Sequence, residues 1–163
     1  MTRINGLPEV PASATSSRAP SAREVWDQMI RHHLDADIDG FADMFAVDGV
    51  MEVPFAPKGL PGRMEGREEI RRTLTPLWNR GKKIGRRIVG YEPVIVHETR
   101  DPEVVVVEFD VHSEMSGASL RLSYVHILRA REGRVVHLRD YMDSARLGER
   151  LQVMAAVATA LDG

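Results

Sequence analysis

Asp140 lies in Arg134-Val-Val-His-Leu-Arg-Asp-Tyr-Met-Asp143, a segment that follows a Glu132-Gly133 turn and reads as a β-strand. Side chains alternate faces along a strand, so Val136, Leu138, Asp140 and Met142 share one side. Val135, His137, Arg139 and Tyr141 share the other. The first set is the more apolar and is expected to face the interior, which sets a carboxyl among hydrophobes. Apolar surroundings disfavour the charged form of an acid. An acid placed this way can hold and release a proton near neutral pH, the requirement of general acid–base chemistry.

The preceding strand must supply the neighbours of Asp140. A two-residue Glu132-Gly133 loop demands positive φ at Glu132, which is unfavourable for Glu, and it sets His126 opposite Arg139. A three-residue Arg131-Glu-Gly133 loop avoids both problems and is therefore expected. It pairs Ala130 with Arg134, Leu122 with Met142, Tyr124 with Asp140, His126 with Leu138 and Leu128 with Val136. Tyr124 then lies across from Asp140, and His126 is a diagonal neighbour within reach. A tyrosine hydroxyl can donate to a carboxylate or to a developing oxyanion, and a histidine can relay protons. The plainer alternative is a core Asp held by Tyr124, with His126 a satisfied core histidine and no chemistry.

Other candidates are less sharply placed. In Val104-Val-Val-Val-Glu-Phe-Asp-Val-His112, the residues Val105, Val107, Phe109 and Val111 form an apolar face. That face sends Glu108 outward, whereas a register shifted by one brings Glu108 beside His126. His33 and Met29 share the apolar stripe of the first helix and can reach a cavity or simply pack. Trp26, Phe45, Phe55, Leu122, Leu138 and Met142 are the expected apolar lining. The run Arg80-Gly-Lys-Lys-Ile-Gly-Arg-Arg87 is basic and reads as a solvated strand edge rather than an anion site. No Gly-rich phosphate loop or Gly-x-Ser-x-Gly elbow occurs. The histidines lack His-x-His or His-x-x-x-His spacing, so neither a metal site nor a cofactor is expected.

These residues must be held by a single domain. The 163 residues are 43% apolar and 28% charged, with a net charge of −2, the balance of a globule with no electrostatic grip on nucleic acid or acidic lipid. There is no cysteine, no apolar run of membrane-spanning length and no secretory signal core, so a cytoplasmic protein is expected. Residues 1–20, rich in Pro, Ser and Ala, predict a mobile tail. Ser21 and Glu24 have capping-box spacing and open a helix carrying Val25, Trp26, Met29, Ile30 and His33 inward. Asp37 caps a second helix presenting Ile38, Phe41, Ala42, Met44 and Phe45. A short strand is expected over 50–55, where Pro54 points to an edge position or a strand end, and a Pro- and Gly-rich loop precedes a third helix over 67–78 with Ile70, Leu74, Leu77 and Trp78 inward. Strands over 84–97, 103–115, 119–130 and 134–143 follow, then a helix over 145–161. The order predicts an α+β domain over 21–147, helices on one face of a curved antiparallel sheet, with a helical extension over 148–163. A cone of this kind leaves a cavity at its mouth, suited to small molecules.

Three segments, Phe41–Ala56, Glu65-Gly-Arg-Glu-Glu-Ile70 and Glu132–Asp143, together resemble the SnoaL-like proteins of the nuclear transport factor 2 superfold. That group also contains ketosteroid isomerases, limonene epoxide hydrolases and phenazine-biosynthesis A/B proteins. The resemblance covers about residues 22–147 and implies the cone-shaped nuclear transport factor 2-like fold and a cavity site at Asp140. This chain departs from the ketosteroid isomerases. Val53 stands where they place a base Asp before Pro54, Met29 falls at their helix-one tyrosine, and Ala118 to Arg129 contains no acid. Epoxide hydrolases resemble it at Arg139-Asp-Tyr-Met-Asp143 but use Arg-x-Asp where this chain has Glu108-Phe-Asp110. Polyketide cyclases and phenazine A/B-like proteins, with a single cavity carboxyl, match best.

The expected function is therefore acid–base catalysis on a small, largely apolar metabolite, such as cyclisation or isomerisation of a polyketide-type or aromatic intermediate. Asp140 would move the proton, and Tyr124 and His126 would steady charge on a carbonyl oxygen. The alternatives are epoxide hydrolase-like hydrolysis, a binding protein with no turnover, and an interaction module. A homodimer, through the sheet's outer face or the last helix, fits all of them.

Overall fold

The computed structural model describes residues 18–115 and 117–149. Residues 1–17 of the expected 1–20 tail and residues 150–163 of the expected 148–163 extension lie outside them. The described elements are α1 (Ala22–Leu34), α2 (Ile38–Asp43), β1 (Phe45–Glu52), β2 (Arg63–Glu65), α3 (Arg67–Lys83), β3 (Arg87–Glu98), β4 (Val104–Met115), β5 (Ala118–Arg131) and β6 (Arg134–Met142). The chain turns helical again at 144–149. Among the described residues no helix is long and apolar enough to cross a membrane.

The α1 start follows its sequence signal. Ser21 Oγ accepts from the Glu24 N–H at 3.2 Å, and the Glu24 carboxylate accepts from the Ser21 N–H at 2.7 Å. Two otherwise orphaned donors are thus satisfied reciprocally. The helix buries Val25, Trp26, Met29 and Ile30 against the sheet. The second helix is shorter than expected and ends at Asp43, so Phe45 opens β1 and lies in the core, not on the cavity wall. The third helix is longer and runs through Pro76 to Lys83. The basic run is thus mainly the last turn of a helix and a connecting turn, and only Arg87, the first residue of β3, lies on the sheet's edge strand.

The six strands form one sheet in the order β2-β1-β6-β5-β4-β3. Neighbours are antiparallel except β1 with β6, which run parallel, a departure from the expected all-antiparallel sheet. Register shifts in β3, and between β5 and β6, bend the sheet into a concave face. Val105, Val107, Phe109 and Val111 of β4 all lie on that buried face. Their strict alternation leaves the register no freedom, since a one-residue slip would expose all four.

The β5–β6 hairpin corrects the expected register. The loop is the two-residue Glu132-Gly133 turn, with Arg131 opposite Arg134 and φ of 50° and 73° at the two loop residues. Both positive angles match a type I′ turn, whose twist suits the hairpin. A bulge follows: Ala130 faces Val135, but Arg129 faces His137, so β6 carries one extra residue. The bulge turns Val135, rather than Val136, into the core ahead of Leu138. The strain at Glu132 is local, of the order of ~1 kcal/mol, while both buried faces are preserved. Glu132→Asn, which tolerates this conformation, is expected to raise the urea midpoint by the equivalent of roughly 0.5–1 kcal/mol. An unchanged or lower midpoint in equilibrium unfolding would count against the turn.

Candidate functional site

The bulge decides who faces Asp140. Beyond it the pairing runs Leu128 with Leu138, His126 with Asp140 and Tyr124 with Met142. His126, expected as a diagonal neighbour, is therefore directly across from Asp140, and Tyr124 is the diagonal one. All three line a cavity of about 540 Å³ between the concave sheet and the helices.

The ring of His126 is buried and edge-on to Phe109, with centroids 4.7 Å apart. Its Nδ1 accepts a hydrogen bond from the Trp26 indole N–H at 3.1 Å. An indole N–H can only donate, so Nδ1 must present a lone pair and the neutral ring carries its proton on Nε2. That nitrogen lies 3.4 Å from Asp140 Oδ1, beyond normal hydrogen-bond length. The Asp140 side chain is only 14% exposed, and Oδ1 is buried with no hydrogen-bond partner among the described residues. Buried polar atoms without a partner are rare and unfavourable. Here the unpartnered oxygen belongs to a residue lining the cavity.

Tyr124 stacks on Phe109 at 5.3 Å with an interplanar angle of 12°. Burial, reinforced by the charge of Asp140, pushes its phenol well above the ordinary range, so the hydroxyl stays protonated and serves as a donor. A second pair lies on the helical side. His33 is packed among Phe41, Trp78 and Tyr91, and the Tyr91 hydroxyl bonds its Nδ1 at 2.6 Å. Desolvation, with help from the charge of Arg86, lowers His33 to about 3, so its ring is neutral. His33 lines the cavity, as do Leu138 and Met142.

Other expected residues sit elsewhere. Glu108 is exposed on the outer face of β4, paired with His97 Nε2 at 2.7 Å, and does not approach His126. Phe55 is 62% exposed and packs against Tyr141 outside the cavity. Its strand ends at Glu52, three residues earlier than expected, which frees it from the sheet. Trp26, Met29 and Phe45 are core residues behind the wall, and Leu122 is buried without lining the cavity. Trp26 nevertheless touches the site through His126. Sequence reasoning missed that bond, because a tryptophan on an apolar helix stripe carries no sign of its distant acceptor. It also missed Phe41, Trp78 and Leu74 as wall residues, and the cations Lys58, Arg80 and Arg86 at the opening. Among the described residues, no three His, Asp or Glu side chains cluster as metal ligands do.

The chain belongs to the SnoaL-like domain family, which matches residues 24–138. It is 32% identical over 146 residues to an uncharacterized PhzA/B-like protein of Pseudomonas aeruginosa, across 88% of this chain and 99% of that one. Its fold is similar to that of a Bacillus subtilis protein provisionally assigned as an isomerase, with a TM-score of 0.69 and 25% identity, covering 78% of this chain and 90% of that one. A provisionally assigned polyketide cyclase from Pseudomonas putida shares the fold at a TM-score of 0.57 and 14% identity, covering 75% and 91% of the two chains.

Two outcomes follow from this geometry. Long-range ¹H–¹⁵N spectra near neutral pH should show His126 as the Nε2–H tautomer, and Trp26→Phe should destabilise the fold by about 1–3 kcal/mol, because a buried acceptor loses its donor. A Nδ1–H tautomer in the wild type would contradict the arrangement. For His33, the folded value of about 3 lies below the ordinary 6.5, so the unfolded chain takes up the proton first. Its contribution is complete above the ordinary value and is lost as pH falls towards the folded one. Between about pH 7.5 and 5.5 the wild type should lose about 1 kcal/mol through this residue. His33→Phe should flatten that part of the pH–stability curve, and an equally steep curve in the variant would refute the assignment.

Proposed function

We propose that this protein is an acid–base enzyme whose Asp140 moves a proton on a small, largely apolar carbonyl compound, in a cyclisation or isomerisation of a polyketide-type or aromatic intermediate. The observation that carries this reading is the unpartnered Oδ1 of Asp140 at the wall of an apolar cavity of about 540 Å³. Membership of the SnoaL-like family and the likeness to proteins assigned as isomerase and polyketide cyclase support a role of cyclase or isomerase type.

In this mechanism the ionised carboxylate of Asp140 removes a proton from the carbon next to a carbonyl. The C–H electron pair moves into the enolate, and the developing oxyanion accepts a hydrogen bond from the Tyr124 hydroxyl. His126, with Nδ1 held by Trp26, directs Nε2–H towards Asp140 and acts as a positioning residue for the carboxylate. The protonated Asp140 then returns the proton to another carbon, completing an isomerisation, or to an alkoxide after the enolate carbon attacks a second carbonyl. The apolar walls fold the substrate into a reactive shape, and positioning of this kind can contribute several kcal/mol. No step calls on a cofactor.

The second reading is capture of a ligand without turnover, favoured by the largely apolar wall of the cavity. Exposed Ile95 on β3, paired with the outward-facing Glu108, supports the expectation of a homodimer through the outer sheet face. A cysteine-free sequence is compatible with a cytoplasmic setting.

The test does not require the natural substrate. Exchange of the acidic α-protons of 2-tetralone into deuterated water, followed by ¹H NMR, reads proton abstraction directly. Asp140→Asn should lower the protein-catalysed exchange by at least about 100-fold, with affinity for the ketone changed less than about threefold. Binding without exchange in the wild type, or equal exchange in the variant, would favour the capture reading.

A further inference from the structure

The opening of this cavity has a charge opposite to that of its wall. Lys58, Arg80 and Arg86 line it, against Asp140 as the one carboxylate among the described lining residues. Most other described arginines are neutralised locally: Arg63, Arg71, Arg87, Arg121, Arg129 and Arg131, for example, each hold a carboxylate. Among the described residues, no such partner engages Lys58, Arg80 or Arg86. Three unpaired cations at the opening of an apolar cavity are unfavourable to one another, and an incoming anion would relieve that repulsion.

Two of them belong to one rigid structure. The C-terminus of α3 closes in a Schellman motif: Ile84 N–H donates to Arg80 O at 3.1 Å, Gly85 N–H to Lys82 O at 3.0 Å, and Arg86 N–H to Gly81 O at 2.9 Å. Gly85 takes the left-handed conformation the motif needs, with φ of 70°. Arg80 and Arg86 are thereby bonded into the same turn, and the Arg86 stem lies over Gly81, whose added Cβ would sit 3.8 Å from Arg86 Cδ. Arg86 lines the cavity, and its charge acts on His33, Tyr91 and Tyr124 there. Arg87, the next residue, faces elsewhere and pairs with Glu114 at 2.8 Å. The basic run is therefore divided by the cap, with selected members turned to the opening.

We propose that Arg80 and Arg86 form an anion clamp at the cavity mouth, and that the substrate is an amphipathic acid: a flat apolar body bearing a carboxylate, bound with its charged end at the clamp. The proposal rests on the reading of the Asp140 cavity as a ligand site and adds the charge of the ligand. The polarity of the site sets the orientation. Asp140 repels a carboxylate, so the anion stays at the rim while the uncharged reacting portion enters. A guanidinium can grip a carboxylate through two parallel hydrogen bonds, which fixes direction as well as affinity.

The experiment is calorimetric titration at low ionic strength with 2-naphthoate and 2-naphthamide, which share a ring system and differ in charge. The wild type should bind naphthoate about tenfold or more tightly over naphthamide. High salt should weaken naphthoate alone, since exposed charges are screened. The double variant Arg80→Gln/Arg86→Gln should lose this preference while keeping naphthamide affinity within about twofold. Arg72→Gln, which removes an exposed charge elsewhere on α3, should keep it. A preference that survives in the double variant, or a wild type that binds both compounds equally, overturns the clamp and leaves the cavity reading standing. If neither compound binds, the cavity reading falls and the clamp falls with it.

Discussion

The hydrogen bond from the Trp26 indole to His126 Nδ1 holds the site together. It joins α1 to β5 across 100 residues of sequence and is buried. A donor-only group on one side fixes the tautomer on the other, and the proton of Nε2 is thereby turned to Asp140. Several local preferences converge on this bond. The Ser21–Glu24 capping box starts α1 in the phase that carries Trp26 inward. The alternation of β4 places Phe109 against both rings, at 5.4 Å from Trp26 and 4.7 Å from His126. The bulge after the β5–β6 turn brings Asp140 to the opposite side. Each element satisfies its own packing, and together they leave Asp140 Oδ1 at 3.4 Å from His126 Nε2, without a hydrogen bond among the described residues.

Much of the architecture was legible from local patterns. The alternating valines of β4 specified its buried face because the side-chain period of a strand is two and the opposite face is polar. Asp140, Tyr124 and His126 were placed on one wall by the same parity. What escaped was the register between β5 and β6. Positive φ at Glu132 is unfavourable in isolation, but a hairpin accepts a small local strain when the pairing beyond it gains. A bulge, which restored the apolar faces, leaves no mark in residue type. The partner of Trp26, the extension of α3 through Pro76 and the turning of Arg86 towards the cavity all depend on tertiary contacts. None of them is encoded by spacing along the chain. Glu108 and Phe55 illustrate the converse, since a chemically suitable or apolar residue gains no role at the site when its strand ends early or its face points outward.

The resulting site is sparse. It has one carboxyl, a neutral imidazole held in a set tautomer, a phenol kept protonated by burial, and aromatic walls. With so few polar groups, the proposed reading draws selectivity from the shape of the cavity and the charge at its mouth, and rate from the placement of the reacting carbon. That division of labour suits a family in which one fold hosts several chemistries on different small molecules. The helices and outer strands then serve chiefly to hold the rings around the carboxylate.

The most direct measurement of the central claim is a crystal structure of the protein with a bound aromatic 1,3-dicarbonyl compound. The account predicts that the acidic carbon lies within about 3.5 Å of an Asp140 carboxylate oxygen, the separation of a near-attack pose, with the compound enclosed by Phe109, Tyr124 and Trp78. A compound bound elsewhere, or an Asp140 carboxylate turned out to solvent with its hydrogen bonds made to water, would contradict it.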